Sequence, residues 1–242
     1  MRRLRRFAPA IAGLAAVLFL VSGPGARFGL WDFRTGFQLL RWGAYLGIAG
    51  AGLGIVALLW RPAGSRIWRP LLAIALGMMA TVVPWVWMER AGRLPAIHDI
   101  TTDTERPPKF VAVLPLRAGA PNPSEYGGPE IAAQQRAAYP DIAPLSLHRQ
   151  PAEAFALALR AARESGWEIV AADSASGRIE ATATTAWFGF KDDVVVRVAE
   201  AGNGSRVDVR SVSRVGLSDV GTNASRIRGY LDRLGKVAAP SP

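Results

Sequence analysis

The run Asp193-Val194-Val195-Val196-Arg197-Val198-Ala199-Glu200, then Ala201-Gly202-Asn203-Gly204, then Ser205-Arg206-Val207-Asp208-Val209-Arg210-Ser211-Val212-Ser213-Arg214-Val215, forms the centre of the domain. Two β-branched runs flank a short Gly/Asn segment, a strong signal for a β-hairpin. Two registers fit it. If Gly202-Asn203 is the turn, Val195 opposes Arg210, Arg197 opposes Asp208 and Asp193 opposes Val212. If the turn is Asn203-Gly204, Asp193 faces Arg214 and Arg197 faces Arg210. Either register sets Asp193 between two arginines on one face. Side chains alternate along a strand, so Asp192 takes the other face with Ser211 and Ser213.

Outward from the hairpin, residues 177–185 alternate with Ile179, Ala181 and Ala183 on one side, and 167–172 suit a further strand. Before them, residues 151–165 read as a helix with Pro151 in its first turn, Phe155, Leu159 and Ala162 on one face, and Gly166 as its stop. After the hairpin, Val220, Asn223, Ala224, Ile227, Leu231 and Leu234 fall at helical spacing over 219–235, with Ser218 or Asp219 as the N-cap. The expected fold is α+β, in the order α-β-β-β-β-α. Its antiparallel four-stranded sheet carries both helices on one face, burying both apolar stripes.

The polar residues of this region are Asp192, Asp193, Arg210, Ser211, Ser213, Arg214, Ser218, Asp219, Asn223 and Arg226. They are a candidate cluster with two readings. One is an ion-pair network that sets hairpin register and docks the last helix, through bidentate Arg–carboxylate bonds. The other is a site for a small anion or lipid headgroup, with Arg210, Arg214, Arg226, Ser218 and the last helix's N-terminus as the cradle. Catalysis has little to build on. Asp192 and Asp193 point to opposite faces and form no carboxylate dyad. Gly216-Leu217-Ser218-Asp219-Val220-Gly221 places its second glycine one residue too late for a nucleophile elbow. His98 and His148, the two histidines, fall in an irregular region and read as surface or loop residues, and no set has metal-ligand spacing. The chain has no cysteine, which excludes disulfides, thiolate metal sites and a Cys nucleophile. No cofactor or metal is expected.

Phe188-Gly189-Phe190-Lys191-Asp192-Asp193-Val194, the run from Arg210 to Asn223, Arg226-Ile227, Tyr139-Pro140-Asp141-Ile142, Pro144 and Arg178-Ile179-Glu180-Ala181 carry a resemblance. Together they resemble the bacterial and plastid family catalogued as domain of unknown function 1499, over roughly residues 120–236. Many relatives have an Asn-Cys-Val-Ser-like segment near the domain start. Pro121-Asn122-Pro123-Ser124 corresponds to it with Pro123 in place of the cysteine, so any role of that thiol is absent. The resemblance implies fold and context and supplies no reaction.

Residues 89–130 are rich in proline and read as an approach segment that wraps the domain. The soluble α+β domain is expected over 131–236 and a disordered tail over 237–242.

Residues 1–88 differ in kind. Apolar blocks at about 7–22, 42–60 and 68–87 read as three transmembrane helices, the last two bounded by Trp42, Trp60, Trp68 and Trp87 at headgroup level. The first is short and follows Arg2, Arg3, Arg5 and Arg6. It reads as an uncleaved anchor, with a cleaved signal peptide as the rival. Gly43, Gly47, Gly50 and Gly54 share one face of the second span, a stripe suited to close helix packing within the chain or to homodimerisation.

Charge gives orientation. Residues 1–88 hold ten arginines against Asp32, while 89–242 hold 19 basic and 18 acidic residues. The excess lies around the spans and not on the domain, which argues against nucleic-acid binding. Seven arginines fall in the N-terminal tail and the loop between spans two and three, against three in the other loop. The positive-inside rule then puts the N-terminus in the cytoplasm and the domain on the periplasmic side of a bacterial inner membrane. Cleavage of the first block leaves this orientation unchanged. The expected partners are the lipid bilayer and either an envelope protein or an anionic small molecule. The expected function is that of a non-catalytic envelope scaffold or partner-binding protein, with the anion or headgroup site as the alternative.

Overall fold

The computed structural model describes residues 4–62 and 64–239. Arg2 and Arg3, on which part of the expected orientation rests, and 240–242 of the expected tail lie outside the described residues. Two compact units divide the chain: one runs to Gly92 and includes 186–189, and the other comprises 93–185 and the residues from Phe190 onward.

The first unit consists mainly of three helices: α1 (Leu4–Arg27), α2 (Phe33–Leu59) and α3 (Trp68–Arg93). Each is long and apolar enough to cross a membrane, by length and composition. They outrun the apolar blocks that announce them. α1 continues through Pro24, and α2 begins at Phe33 because the Asp32 carboxylate accepts the N–H groups of Arg34 (2.7 Å) and Thr35 (3.1 Å). Arg34 and Arg41 interrupt the hydropathy but not the helix. The glycine stripe of α2 serves two neighbours. A Cβ at Gly43 or Gly50 would meet α1, at Ala15 O (3.2 Å) and Ala12 Cα (2.9 Å). One at Gly47 or Gly54 would meet α3, at Gly77 O (2.7 Å) and Pro70 O (3.0 Å). In the same unit the Trp187 ring lies 5.6 Å from Phe19, and Phe188 4.8 Å from Phe37.

The second unit is an antiparallel sheet with helices. Its elements are β1 (Asp99–Thr101), α4 (Gly128–Ala138), β2 (Leu145–Leu147), α5 (Pro151–Glu164), β3 (Glu168–Asp173), β4 (Arg178–Thr184), β5 (Lys191–Ala201), β6 (Gly204–Ser213) and α6 (Thr222–Ala238). The strand order is β1-β6-β5-β4-β3, with β2 also on β6. The sheet therefore has six strands where four were expected. The two extra strands are three residues each, too short to show a period of two, and they share one edge of β6. α4 escapes the sequence reading because its apolar residues are few and Gly127-Gly128-Pro129 precedes them. α6 runs to Ala238, so the expected tail starts inside a helix.

The hairpin turns at Gly202-Asn203, with Gly202 at φ +59°, a conformation that glycine adopts without cost. Asp193 thus pairs with Val212, Val195 with Arg210 and Arg197 with Asp208, and the alternative register is excluded. One face carries Ile179, Ala181, Val194, Val196, Val207 and Val209, buried against Phe155 and Ala158 of α5 and Ala224, Ile227 and Tyr230 of α6. Full burial of each Val or Ile side chain contributes roughly 1.5–3 kcal/mol. The opposite face has a smaller core, Val195 and Val212 under Phe110 and Val113. The proline-rich approach segment thus supplies core to both faces, since Ile97 and Ile100 belong to the larger cluster.

Candidate functional site

The hairpin's alternation sorts the ten candidate residues into two groups on opposite faces of the sheet. Asp193, Arg210 and Arg214 lie on the face covered by the approach segment. Asp192, Ser211, Ser213, Asn223 and Arg226 lie on the helix face, with Ser218 and Asp219 in the turn leading to α6.

On the first face Asp193 is fully buried. Its carboxylate accepts Arg214 Nε (2.9 Å) and Nη2 (2.8 Å), Arg117 Nη1 (2.6 Å) and Thr182 Oγ1 (2.8 Å). Burial by itself would raise the Asp193 carboxyl. The bonds from Arg214, Thr182 and Arg117 overcome that and hold it below the ordinary carboxylate range. Arg117 also donates to Asn122 O (3.0 Å) and Pro123 O (3.3 Å). Arg210 is not bound to Asp193. It makes a fork to Asp99, at 2.9 and 2.8 Å, and donates to Pro108 O (3.2 Å) and Ser124 O (2.7 Å). Its guanidinium lies 5.1 Å from the centre of the Phe110 ring and 5.6 Å from that of Tyr126. Burial and the nearby Asp99 charge push the Tyr126 hydroxyl up to about 12.

Two neighbouring networks lie on this face. Asp208 and Asp103 together hold Arg197 and Arg206, with the Arg197–Asp208 contact at 2.8 Å. Glu180, fully buried, accepts the backbone N–H groups of Val111, Ala112 and Val113, each at 3.0 Å, and pairs with Arg178 at 3.0 Å. The Arg197–Asp208 pair could be read from the hairpin register. Arg117, Asp99 and Glu180 had no such signal, since the segment that meets them has no period.

On the helix face Asn223 is the hub. It donates to His98 O (3.0 Å) and Ser213 Oγ (3.0 Å) and accepts from Ser211 Oγ (2.7 Å) and Arg226. Arg226 also donates to Asp192 (2.5 Å) and Ser211 (3.0 Å). The N-cap position of α6 is Gly221, not Ser218 or Asp219. Asp219 nevertheless does the chemical work of a cap, accepting the N–H of Gly221 (2.9 Å) and of Asn223 (2.6 Å) from upstream. Burial raises its carboxyl above the ordinary range, against the lowering effect of those two bonds. Ser218 Oγ accepts the N–H of Val220 (3.1 Å). His98 directly precedes β1, and His148 is exposed after β2. Among the described residues, no group of three or more His, Cys, Asp or Glu side chains could hold a metal ion.

No curated protein matches the chain. Among solved structures, the crystal structure of TTHA0849 from Thermus thermophilus aligns at 12% identity over 40% of this chain and 97% of that one, with a TM-score of 0.26, too low to bear on the fold. The model of the family described as "Protein of unknown function (DUF1499)" matches residues 99–234, from β1 to α6 and thus across both polar groups. The chain belongs to the DUF1499 family.

Proposed function

We propose that this chain is a multi-pass inner-membrane protein that presents its DUF1499 domain on the periplasmic side as a non-catalytic scaffold or partner-binding body. Three helices of spanning length and the seven-to-three arginine asymmetry support the location and orientation. The polar cluster serves the fold in this reading.

One observation carries that role. The cationic groups that an anion site would need are engaged inside the domain: Arg210 on Asp99, Pro108 and Ser124, Arg214 on Asp193, and Arg226 on Asp192, Ser211 and Asn223. The first amides of α6 that would complete such a site face the Asp219 carboxylate. A ligand would have to displace a buried carboxylate to gain an arginine, which costs several kcal/mol per stranded charge. This supports the scaffold reading over a site for a phosphate or headgroup.

Alanine at both Arg210 and Arg214 in the full-length protein tests it. The expected result is a clearly lower melting temperature, with no binding of inorganic phosphate or glycerol phosphate in wild type to be lost. Saturable binding by wild type that the double variant loses, with melting little changed, would overturn the structural role.

A further inference from the structure

Leu217 is 82% exposed, in a turn bonded to residues 95–98. Asp219 N donates to Ile97 O (3.2 Å), Ser218 Oγ to Pro95 O (3.4 Å), and His98 Nδ1 lies 3.4 Å from Leu217 O. Left-handed backbone at Gly216 (φ +96°) and at Val220 (φ +52°) brackets the turn. A β-branched residue rarely adopts that conformation, so the surrounding bonds impose the shape. The turn is a fixed mount for an aliphatic side chain that nothing in its own domain covers.

Its anchor points have a particular place in the chain. Pro95, Ile97 and His98 come two to five residues after Arg93, the end of α3. At ~3.5 Å per residue, Ile97 lies within ~14 Å of that helix end along the chain. The turn is therefore tied to the stretch by which the chain leaves its last candidate span. Lys191, exposed, begins β5 at the same end of the sheet, where its carbonyl accepts Arg214 N at 3.1 Å, and suits an anionic headgroup. An isolated exposed leucine is ordinary on a soluble surface. This one stands in a turn bonded to residues two to five after the last candidate span, with an exposed lysine at the same end of the sheet.

We propose that the Leu217 turn is a lipid-contact point: the leucine inserts at the headgroup–acyl boundary and fixes the domain's tilt on the bilayer. This rests on the membrane-spanning reading. The absence of cysteine makes a direct test available. Leu217→Cys, Ile48→Cys in α2 and Asn203→Cys in the hairpin turn are each labelled with an environment-sensitive fluorophore. The proteins are reconstituted into phosphatidylcholine/phosphatidylglycerol vesicles containing lipid that carries a nitroxide, near the top of the acyl chain in one set and near its end in another. Asn203 is the distant control, beyond the ten residues of β6 and so ~33 Å along the strand. The expected result is blue-shifted emission at positions 217 and 48, quenched by the nitroxide lipid, with position 203 unquenched by lipid and open to iodide. Quenching at 48 but not at 217 overturns the contact and leaves the spans standing. Quenching at neither overturns the spanning reading, and the contact with it.

Discussion

Asp193 and Arg214 are joined by a two-point fork, Nε to Oδ2 at 2.9 Å and Nη2 to Oδ1 at 2.8 Å, across the two strands of the central hairpin. Arg117 closes on the same carboxylate from the approach segment at 2.6 Å. One buried acid thus ties the hairpin register to a chain segment more than seventy residues earlier.

Asp193→Ala strands two guanidinium groups, one of them almost wholly buried. The expected cost is about 3–5 kcal/mol, the range for breaking a buried pair from one side. Chemical unfolding of the full-length protein in detergent, followed by tryptophan fluorescence, measures it. A loss under about 1 kcal/mol, the level of an exposed pair, would contradict the geometry.

The pH dependence has a definite sign. Asp193 has a depressed folded pKa, so its contribution is present above the unfolded value of about 3.9 and is lost as pH falls through the lower folded value. Asp219 is raised by burial and acts oppositely. Stability from it grows as pH falls through its folded pKa toward about 3.9. Melting temperatures between pH 7 and 3 in Asp219→Asn should lack the mild acid gain, and those in Asp193→Asn should lack part of the steep loss below about pH 4.

Glu180 holds three consecutive backbone amides of the approach segment. Glu180→Gln replaces one acceptor oxygen with a donor facing those amides, at an expected cost of about 1.5–3 kcal/mol. Hydrogen exchange at Val111, Ala112 and Val113 should accelerate before any change in the β5–β6 ladder. Unchanged exchange there would show that the segment is held by Phe110 and Val113 packing alone.

Asn223 is buried and bonded on every side, so Asn223→Ala leaves Ser211, Ser213 and the His98 carbonyl short of partners. A destabilisation of about 1–3 kcal/mol is expected, with α6 loosening at its N-terminal turn. Proteolysis near 216–222 is the readout.

In the helical unit, Gly47→Val forces a side chain against Gly77 O, while position 52 is open, with nothing within 4 Å of an added Cβ. Gly47→Val should lower the yield of monodisperse protein in mild detergent, and Gly52→Val should not.

How much of this was legible beforehand follows from length and period. The β5–β6 hairpin is legible from its two β-branched runs and short turn, β4 from alternation, β3 only as a short strand-like run, and α5 and α6 from helical spacing. β1 and β2, at three residues, are set by the β6 edge they pair with and have no pattern of their own. The face assignments of Asp192 and Asp193 follow from strand geometry, but the partner of Arg210 does not. Its carboxylate is Asp99, brought by a strand that alternation could not reveal. Glu180 looks like an outward polar position on β4, and is buried because the aperiodic segment around Val111 covers it.

A reporter enzyme active only in the periplasm, fused after Pro242, tests the proposed membrane anchor and outward-facing domain. The expected result is an active fusion in the inner-membrane fraction; a stably expressed, membrane-inserted fusion without activity would contradict the orientation.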